Sequence, residues 1–365
     1  MSDKIKSLKE VSEEIGDKIG KKKSINTKDG YYVHNTRTHK EFELVDSKIV
    51  TELSFEGKKQ PISYGYFKSK KGYNSKYKNN REYANHYGEY IAYIILKQLG
   101  KKACKVDIGT RDIHHPFSNK IIEVEGILSH HQLSRTEIFR PFDVSIAKYK
   151  GAHPKKYREA TQRGKTNSES NYTNIELILD ALEYEFELNG QKEDIPEMRK
   201  QFFDMCIFDL KFANRDRHDE NFGLRVDQVT GKLKFYHLFD NEQILGLQEE
   251  RKDVLKYLSN EKEYTKFKNR DLTSCIGIPE KPNRISPMEL LNYMLENYYD
   301  ETIESIEDIG RYKLSDLEEI LDIFPNLSEE HKSLAKKIFN EREMEFNETL
   351  KDFKEKSSRT DDKVR

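Results

Sequence analysis

The chain has 365 residues, enough for one large domain or two lobes, and its 64 Lys plus Arg nearly balance 65 Asp plus Glu. A net charge of −1 excludes a partner chosen by bulk charge, and Cys104, Cys206 and Cys275 are too few and too scattered for a disulfide framework or a CxxC site. No apolar run approaches the ~20 residues of a membrane helix, and MSDKIKSLKEVSEEIGDKIGKKK has no apolar signal core, so a cytoplasmic protein with reduced thiols is expected.

Residues 1–30 read as a charged arm, helical over the first 23. From Tyr31 to Lys68 short aromatic and β-branched runs such as FELVDSKIVTELSFEG and ISYGYFKS predict strands. Residues 69–81 form a polar, basic loop. Tyr83, Tyr87, Tyr90, Ile91, Ile94, Ile95 and Leu99 recur at helical spacing, which predicts a helix over 82–99 stopped by Gly100. Strands are expected at 103–110 and 119–128. Residues 31–130 thus read as an antiparallel α+β lobe. A connecting segment follows, then the turn-rich GKTNSESNYTN at 164–174. The remainder to 353 reads as mainly helical: an amphipathic helix over 174–188, another over 196–213, and charged helices from Ser286. Residues 354–365 have the composition of a disordered tail.

The segment NRDRHDENFGLRVDQVTGKLKFYHLFDN, Asn214 to Asn241, carries the chemistry. Leu224 and Val226, then Leu233 and Phe235, alternate with polar residues, and Gly231 suits the left-handed position of a hairpin turn. Folding this hairpin about 228–231 is expected to bring Asn221 opposite residues 238–240. Asp216, Asn221 and Asp240 would then converge on a metal–triphosphate. An Asp that accepts a hydroxyl proton, with an Asn and a second Asp holding Mg²⁺ against the phosphates, is what phosphoryl transfer needs. The helix before the motif is expected to be anchored by Phe202, Phe203, Cys206, Ile207 and Leu210, so that Asp216 leaves a rigid element.

NRDRHDENFG…LFDN resembles the catalytic and metal-binding loops of the HipA-like serine/threonine kinases, within a wider group that includes the phosphatidylinositol kinases. YGEYIAYIILKQLGKKACKVDIG is similar to that family's helix and following strand. The resemblance implies an α+β, bilobal protein-kinase-like fold, with a β-rich N-terminal lobe at 31–130 and a mainly helical catalytic lobe at 131–353. It implies ATP and Mg²⁺ as cofactors and a protein hydroxyl as acceptor, with autophosphorylation. Asp216 would be the catalytic base, Asn221 and Asp240 the metal ligands, and Lys68 the lysine on the ATP phosphates. Glu89 would pair with Lys68, and backbone groups from Glu125 to Ile127 would line the adenine pocket. Asn241 stands where ordinary protein kinases have Gly. No G-x-G-x-x-G loop is present, as in the HipA-like enzymes.

Arg215, Arg217 and His218 flank Asp216 and would favour its ionised form or meet phosphate, with a loop-propping role preferred for His218. The pairs His114–His115 and His130–His131 lack partners at ligand spacing and read as solvated loop residues. Ser168, Ser170 and Thr173 are possible phosphoacceptors in a connector. Residues 58–81 hold eight Lys or Arg, no acid and four Tyr, the one segment suited to single-stranded nucleic acid. Two other functions stay open at this point. One is a lipid or small-molecule kinase on the same fold. The other is a kinase-like scaffold that binds nucleotide or nucleic acid without catalysis.

Overall fold

A computed structural model describes residues 5–15, 18–19, 23–24, 30–32, 47–51, 54–55, 58–59, 63–69, 84–114, 121–131, 133–134, 136–162, 174–282 and 284–364. The chain divides into two compact units. One comprises residues 1–137, 237–259 and 315–335; the other comprises 138–236, 260–314 and 336–365.

The first unit opens with helix α1 (Leu8–Ile15) and the short strands β1 (Lys23–Ser24), β2 (Gly30–Tyr32), β3 (Ser47–Thr51), β4 (Ser54–Phe55) and β5 (Lys58–Lys59). Strand β6 (Ser63–Ser69), helix α2 (Asn85–Gln98) and strands β7 (Val106–His114) and β8 (Ile121–His131) follow. Among the described residues six of these strands form a sheet in the order β1-β7-β8-β6-β3-β2, antiparallel except for β1 against β7, and β4 pairs with β5. Ile108 and Ile127 face each other across β7 and β8, and both are buried. Helix α2 is buried nearly all round, as a helix enclosed on several sides must be. Ile91, Ile94 and Ile95 are wholly excluded from water, each contributing roughly 1.5–3 kcal/mol. The Tyr87 and Tyr90 rings pack on Phe324, at 5.2 and 5.8 Å. Gly100 terminates the helix at φ +71°, a conformation glycine adopts without strain.

The second unit begins with β9 (Glu137–Pro141), α3 (Phe142–Ala152) and α4 (Pro154–Gln162), where sequence patterning suggested only a connector. The buried stripe of α3 is just Phe142, Ser145 and Tyr149, and α4 lies almost wholly at the surface, so neither shows strong apolar periodicity. Helices α5 (Ile175–Leu188) and α6 (Ile195–Lys211) match their expected spans to within two residues. All five expected anchors of α6 are buried, Phe202 and Phe203 completely. Strands β10 (Gly223–Asp227) and β11 (Leu233–Phe235) form the hairpin, with Leu224 opposite Phe235 and Val226 opposite Leu233. Gly231 sits at φ +74° and donates to the Asp227 carbonyl at 2.8 Å. Gly223 is required for another reason: a Cβ there would lie 2.2 Å from the Arg140 carbonyl oxygen of β9.

The chain continues through α7 (Arg251–Ser259), α8 (Glu261–Asp271), α9 (Pro287–Asn297), α10 (Tyr299–Gly310), α11 (Leu314–Asp322) and α12 (Glu329–Val364). Helix α6 packs on α10, where Arg199 reaches Glu301 at 2.6 Å and Lys211 donates to the Gly310 carbonyl at 3.0 Å. Residues 354–364 continue α12. Residues 237–259 and 315–335 group with the first unit. Among the described residues no helix is long and apolar enough to cross a membrane.

Candidate active site

In the second unit the loop carrying Asp216 hangs from the end of α6. The helix closes with Ala213 at φ +52°, and Asn214 donates its backbone N–H to the Asp209 carbonyl at 2.9 Å. One helical turn back, the Asp209 carboxylate organises the loop. It accepts from Arg217 Nε at 2.8 Å and Nη2 at 3.1 Å, a two-pronged ion pair. It also accepts from Asn214 Nδ2 at 2.8 Å. The third nitrogen of Arg217, Nη1, donates to the Asn221 carbonyl at 2.8 Å. Arg217 is only 2% exposed. This corrects its expected role: its guanidinium is committed inside the protein and is not poised for phosphate. His218 accepts the Glu220 N–H at Nδ1, 3.2 Å away, a local prop of the loop.

These contacts set the geometry of the two residues with assigned chemistry. Asn221 Nδ2 donates to the Asp216 carbonyl at 2.7 Å, and the same carbonyl accepts the His218 N–H at 2.9 Å. With the amide nitrogen bonded to the backbone, Oδ1 of Asn221 is the side-chain atom able to meet a cation. A neutral oxygen of this kind suits a hard divalent cation such as Mg²⁺. Asp216 is half-buried, and its own N–H is held by Asn214 Oδ1 at 3.3 Å.

Cys275 lies against this loop, its Sγ donating to the Arg215 carbonyl at 2.8 Å. Burial pushes its thiol up to about 11, and the negative charges of Asp216 and Asp209 add to the shift. At pH 8 roughly a thousandth of it is thiolate. Iodoacetamide is therefore expected to label native Cys275 slowly, and Asp216→Asn to speed labelling severalfold by removing a charge. Peptide mass spectrometry of the time course checks this; identical rates would separate the Asp216 carboxylate from the thiol.

Asp240 belongs to the first unit. It adopts φ +54°, which costs a non-glycine residue of order 1–3 kcal/mol and persists only where neighbours enforce it. The Asp240 N–H donates to Glu89 Oε1 of α2 at 2.9 Å, and the Asn241 N–H donates to Glu89 Oε2. Glu89 is 1% exposed. Next to it, Gly88 faces the Glu242 carbonyl so closely that a Cβ would come within 2.5 Å of that oxygen. Asn85 Nδ2 donates to the Glu242 carboxylate at 3.3 Å.

The other expected site residues fall as follows. Lys68 lies on β6 opposite Ile127, but its side chain, and so its pairing with Glu89, is outside the described residues. Ile127 is wholly buried and flanked by Ile108 on one side and Lys68 on the other. Its backbone lies between two paired strands. The Glu125 carboxylate accepts from the Tyr87 hydroxyl at 2.9 Å and meets His86 Nε2 at 3.0 Å. His130 is a strand residue tied to Asp107 at 2.8 Å, not a solvated loop residue. Among the described residues no group of three or more His, Cys, Asp or Glu is gathered for a metal. His115, residues 70–81 of the basic segment, and Ser168, Ser170 and Thr173 lie outside the described residues. Sequence reasoning missed Asp209 and Asn214. The only signal was an Asp one turn from the end of a helix that leads into the motif.

No protein-family model and no curated protein matches the sequence. Among solved structures, the Helicobacter pylori proinflammatory kinase CtkA is similar over 89% of this chain and 95% of its own, with a TM-score of 0.60 at 18% identity. The chain has the fold of that kinase. HipA, from the Shewanella oneidensis toxin–antitoxin system HipA, HipB and operator DNA complex, aligns over 96% of this chain and 73% of its own. That alignment has a TM-score of 0.45 and 14% identity. The kinase-like fold expected from the sequence motifs agrees with the fold shared with CtkA.

Proposed function

We propose that this protein is an ATP- and Mg²⁺-dependent protein serine/threonine kinase of the HipA-like type. The observation that carries the reading most is the Asp216–Asn221 loop. Its D-x4-N spacing is braced by a buried Asp209–Arg217 pair, and Asn221 is turned by its bond to the Asp216 carbonyl. The fold shared with a kinase supports the same class of reaction.

In this reading the bound Mg²⁺ neutralises charge on the β- and γ-phosphates. Asn221, through Oδ1, and Asp240, through its carboxylate, would hold the ion. Asp216 would accept the acceptor's hydroxyl proton and orient the oxygen for in-line attack. Lys68 would meet the phosphates, and the backbone of β8 from Glu125 to Ile127 would border the adenine. The two lobes are a β-rich ATP-binding lobe and a mainly helical catalytic lobe. The acceptor is a protein hydroxyl, the protein's own included, and the reaction is cytoplasmic.

The test is label transfer from Mg·γ-labelled ATP to the protein itself, a generic basic protein and phosphoinositide vesicles. Label on protein supports the reading. Label on lipid alone would change the acceptor to a head group. Absence of both transfer and nucleotide binding would overturn it. A companion measurement is nucleotide titration with and without Mg²⁺. Loss of outer partners of a metal site costs 10–100-fold in affinity; Asp240→Ala, which removes a ligand, is expected to cost at least as much in Mg-dependent binding. Unchanged Mg·ATP affinity would remove Asp240 from the metal.

A further inference from the structure

We propose that Glu89 is a positioning residue for Asp240: its carboxylate fills the concavity made by the Asp240 and Asn241 N–H groups and so fixes the direction in which the Asp240 side chain leaves the backbone. The assignment rests on the kinase reading above and deepens it. It differs from the expected role, in which Glu89 would pair with the lysine that meets the nucleotide phosphates.

Successive N–H groups beside a left-handed residue point to one side and form a small anion-binding nest. Here the nest is built by Asp240 at φ +54° and its successor, and its anion comes from the protein itself. Each oxygen of Glu89 takes one N–H, so the match is two-pronged. A neutral amide would offer one oxygen, and would set its NH₂ against the other N–H. The burial of Glu89 sharpens the dependence, since a buried carboxylate is tolerated only when hydrogen-bonded.

The neighbours of Glu89 on α2 hold the same segment. Gly88 lets the Glu242 carbonyl approach the helix, and Asn85 bonds the Glu242 carboxylate. The first two turns of α2 therefore engage three consecutive residues, 240 to 242. Those turns are themselves tied to the sheet, because His86 and Tyr87 both meet the Glu125 carboxylate of β8. The sheet, α2 and Asp240 form one continuous chain of contacts. Glu89 is the link that touches the backbone of Asp240 directly.

Glu89→Gln, nearly isosteric, tests this. Hydrogen–deuterium exchange of the peptide spanning residues 240–241 is expected to quicken by about tenfold or more. The Mg²⁺ midpoint for nucleotide binding is expected to rise by about tenfold, the lower end for loss of an outer partner. ATP affinity without Mg²⁺ should stay the same. In the Asp240→Ala background the Gln substitution should add nothing to the loss of Mg-dependent binding. Gly88→Ala, which leaves the Glu89 charge in place and presses on Glu242, should raise the Mg²⁺ midpoint likewise and covers the case of a poorly folded Gln variant. Equal weakening of ATP binding with and without Mg²⁺ would overturn the proposal and return Glu89 to the phosphate-lysine role. Unchanged exchange or an unchanged Mg²⁺ midpoint would overturn it too. Slow exchange in a wild-type protein that binds no Mg·ATP would instead sink the kinase reading and, with it, the metal-directed role.

Discussion

Asp216→Asn is expected to lower label transfer from ATP by roughly 10²–10⁴-fold, the range for removing a positioned general base. The substitution keeps the size and shape of the side chain and removes its proton affinity. The loop should survive, because the Asp216 backbone makes three of its bonds. The Asp216 carbonyl accepts from Asn221 and His218, and its N–H meets Asn214. Asn221 and Asp240 are untouched, so nucleotide and Mg²⁺ binding should be nearly unchanged. The signature is a fall in kcat with a constant nucleotide affinity, read from initial rates beside a binding titration. Activity within tenfold of wild type would remove Asp216 as the base.

The largest effect on stability should come from Asp209→Ala. It would remove the carboxylate that takes two nitrogens of the buried Arg217 guanidinium, 2% exposed, and the acceptor of Asn214 Nδ2. Breaking a buried pair in this way costs about 3–5 kcal/mol. For a unit of this size that is a fall in melting temperature of roughly 6–20 °C. Asp204→Asn is a good comparison. Asp204 lies on the same helix, is as buried as Asp209 at 8% exposure, and has Lys200 at 3.7 Å. A nearby cation that also has Glu304 and Asp308 loses little when Asp204 is neutralised. Equal losses in the two variants would mean that the Asp209–Arg217 pair has no special weight. If the pair orients the loop, Arg217→Lys should also depress transfer, since a single ammonium cannot reproduce the fork that joins Asp209 to the Asn221 carbonyl.

Where the sequence was easy to read, one period dominated. Helices α5 and α6 carry long runs at helical spacing with apolar anchors, and the β10–β11 hairpin has strict alternation around a glycine. Helix α2 was found although its polar residues are buried, because its Ile and Tyr positions repeat regularly. The helices α3 and α4 were missed because they bury too little to leave a stripe. In the candidate site, the D-x4-N spacing of Asp216 and Asn221 was legible as a motif. The function of Arg217 was not, because a sequence shows a cation beside an acid but not which side of the backbone it occupies. Glu89 reaches Asp240 across 151 positions. No local pattern encodes a contact between a helix and a backbone amide so far along the chain.

The alternation of the chain between its two units has a consequence for biosynthesis. Crossings occur at 137/138, 236/237, 259/260, 314/315 and 335/336. As the polypeptide leaves the ribosome, the sheet and α2 emerge early, but α7 and most of α11, which complete that unit, arrive only after most of the other has been made. Neither half can finish as a vectorial N-terminal intermediate, the usual course for domains strung in series. The exposed, unfinished face of α2 must stay soluble until residue 335 is out. A stop codon or protease cut before that point would therefore leave not one working half but two incomplete ones.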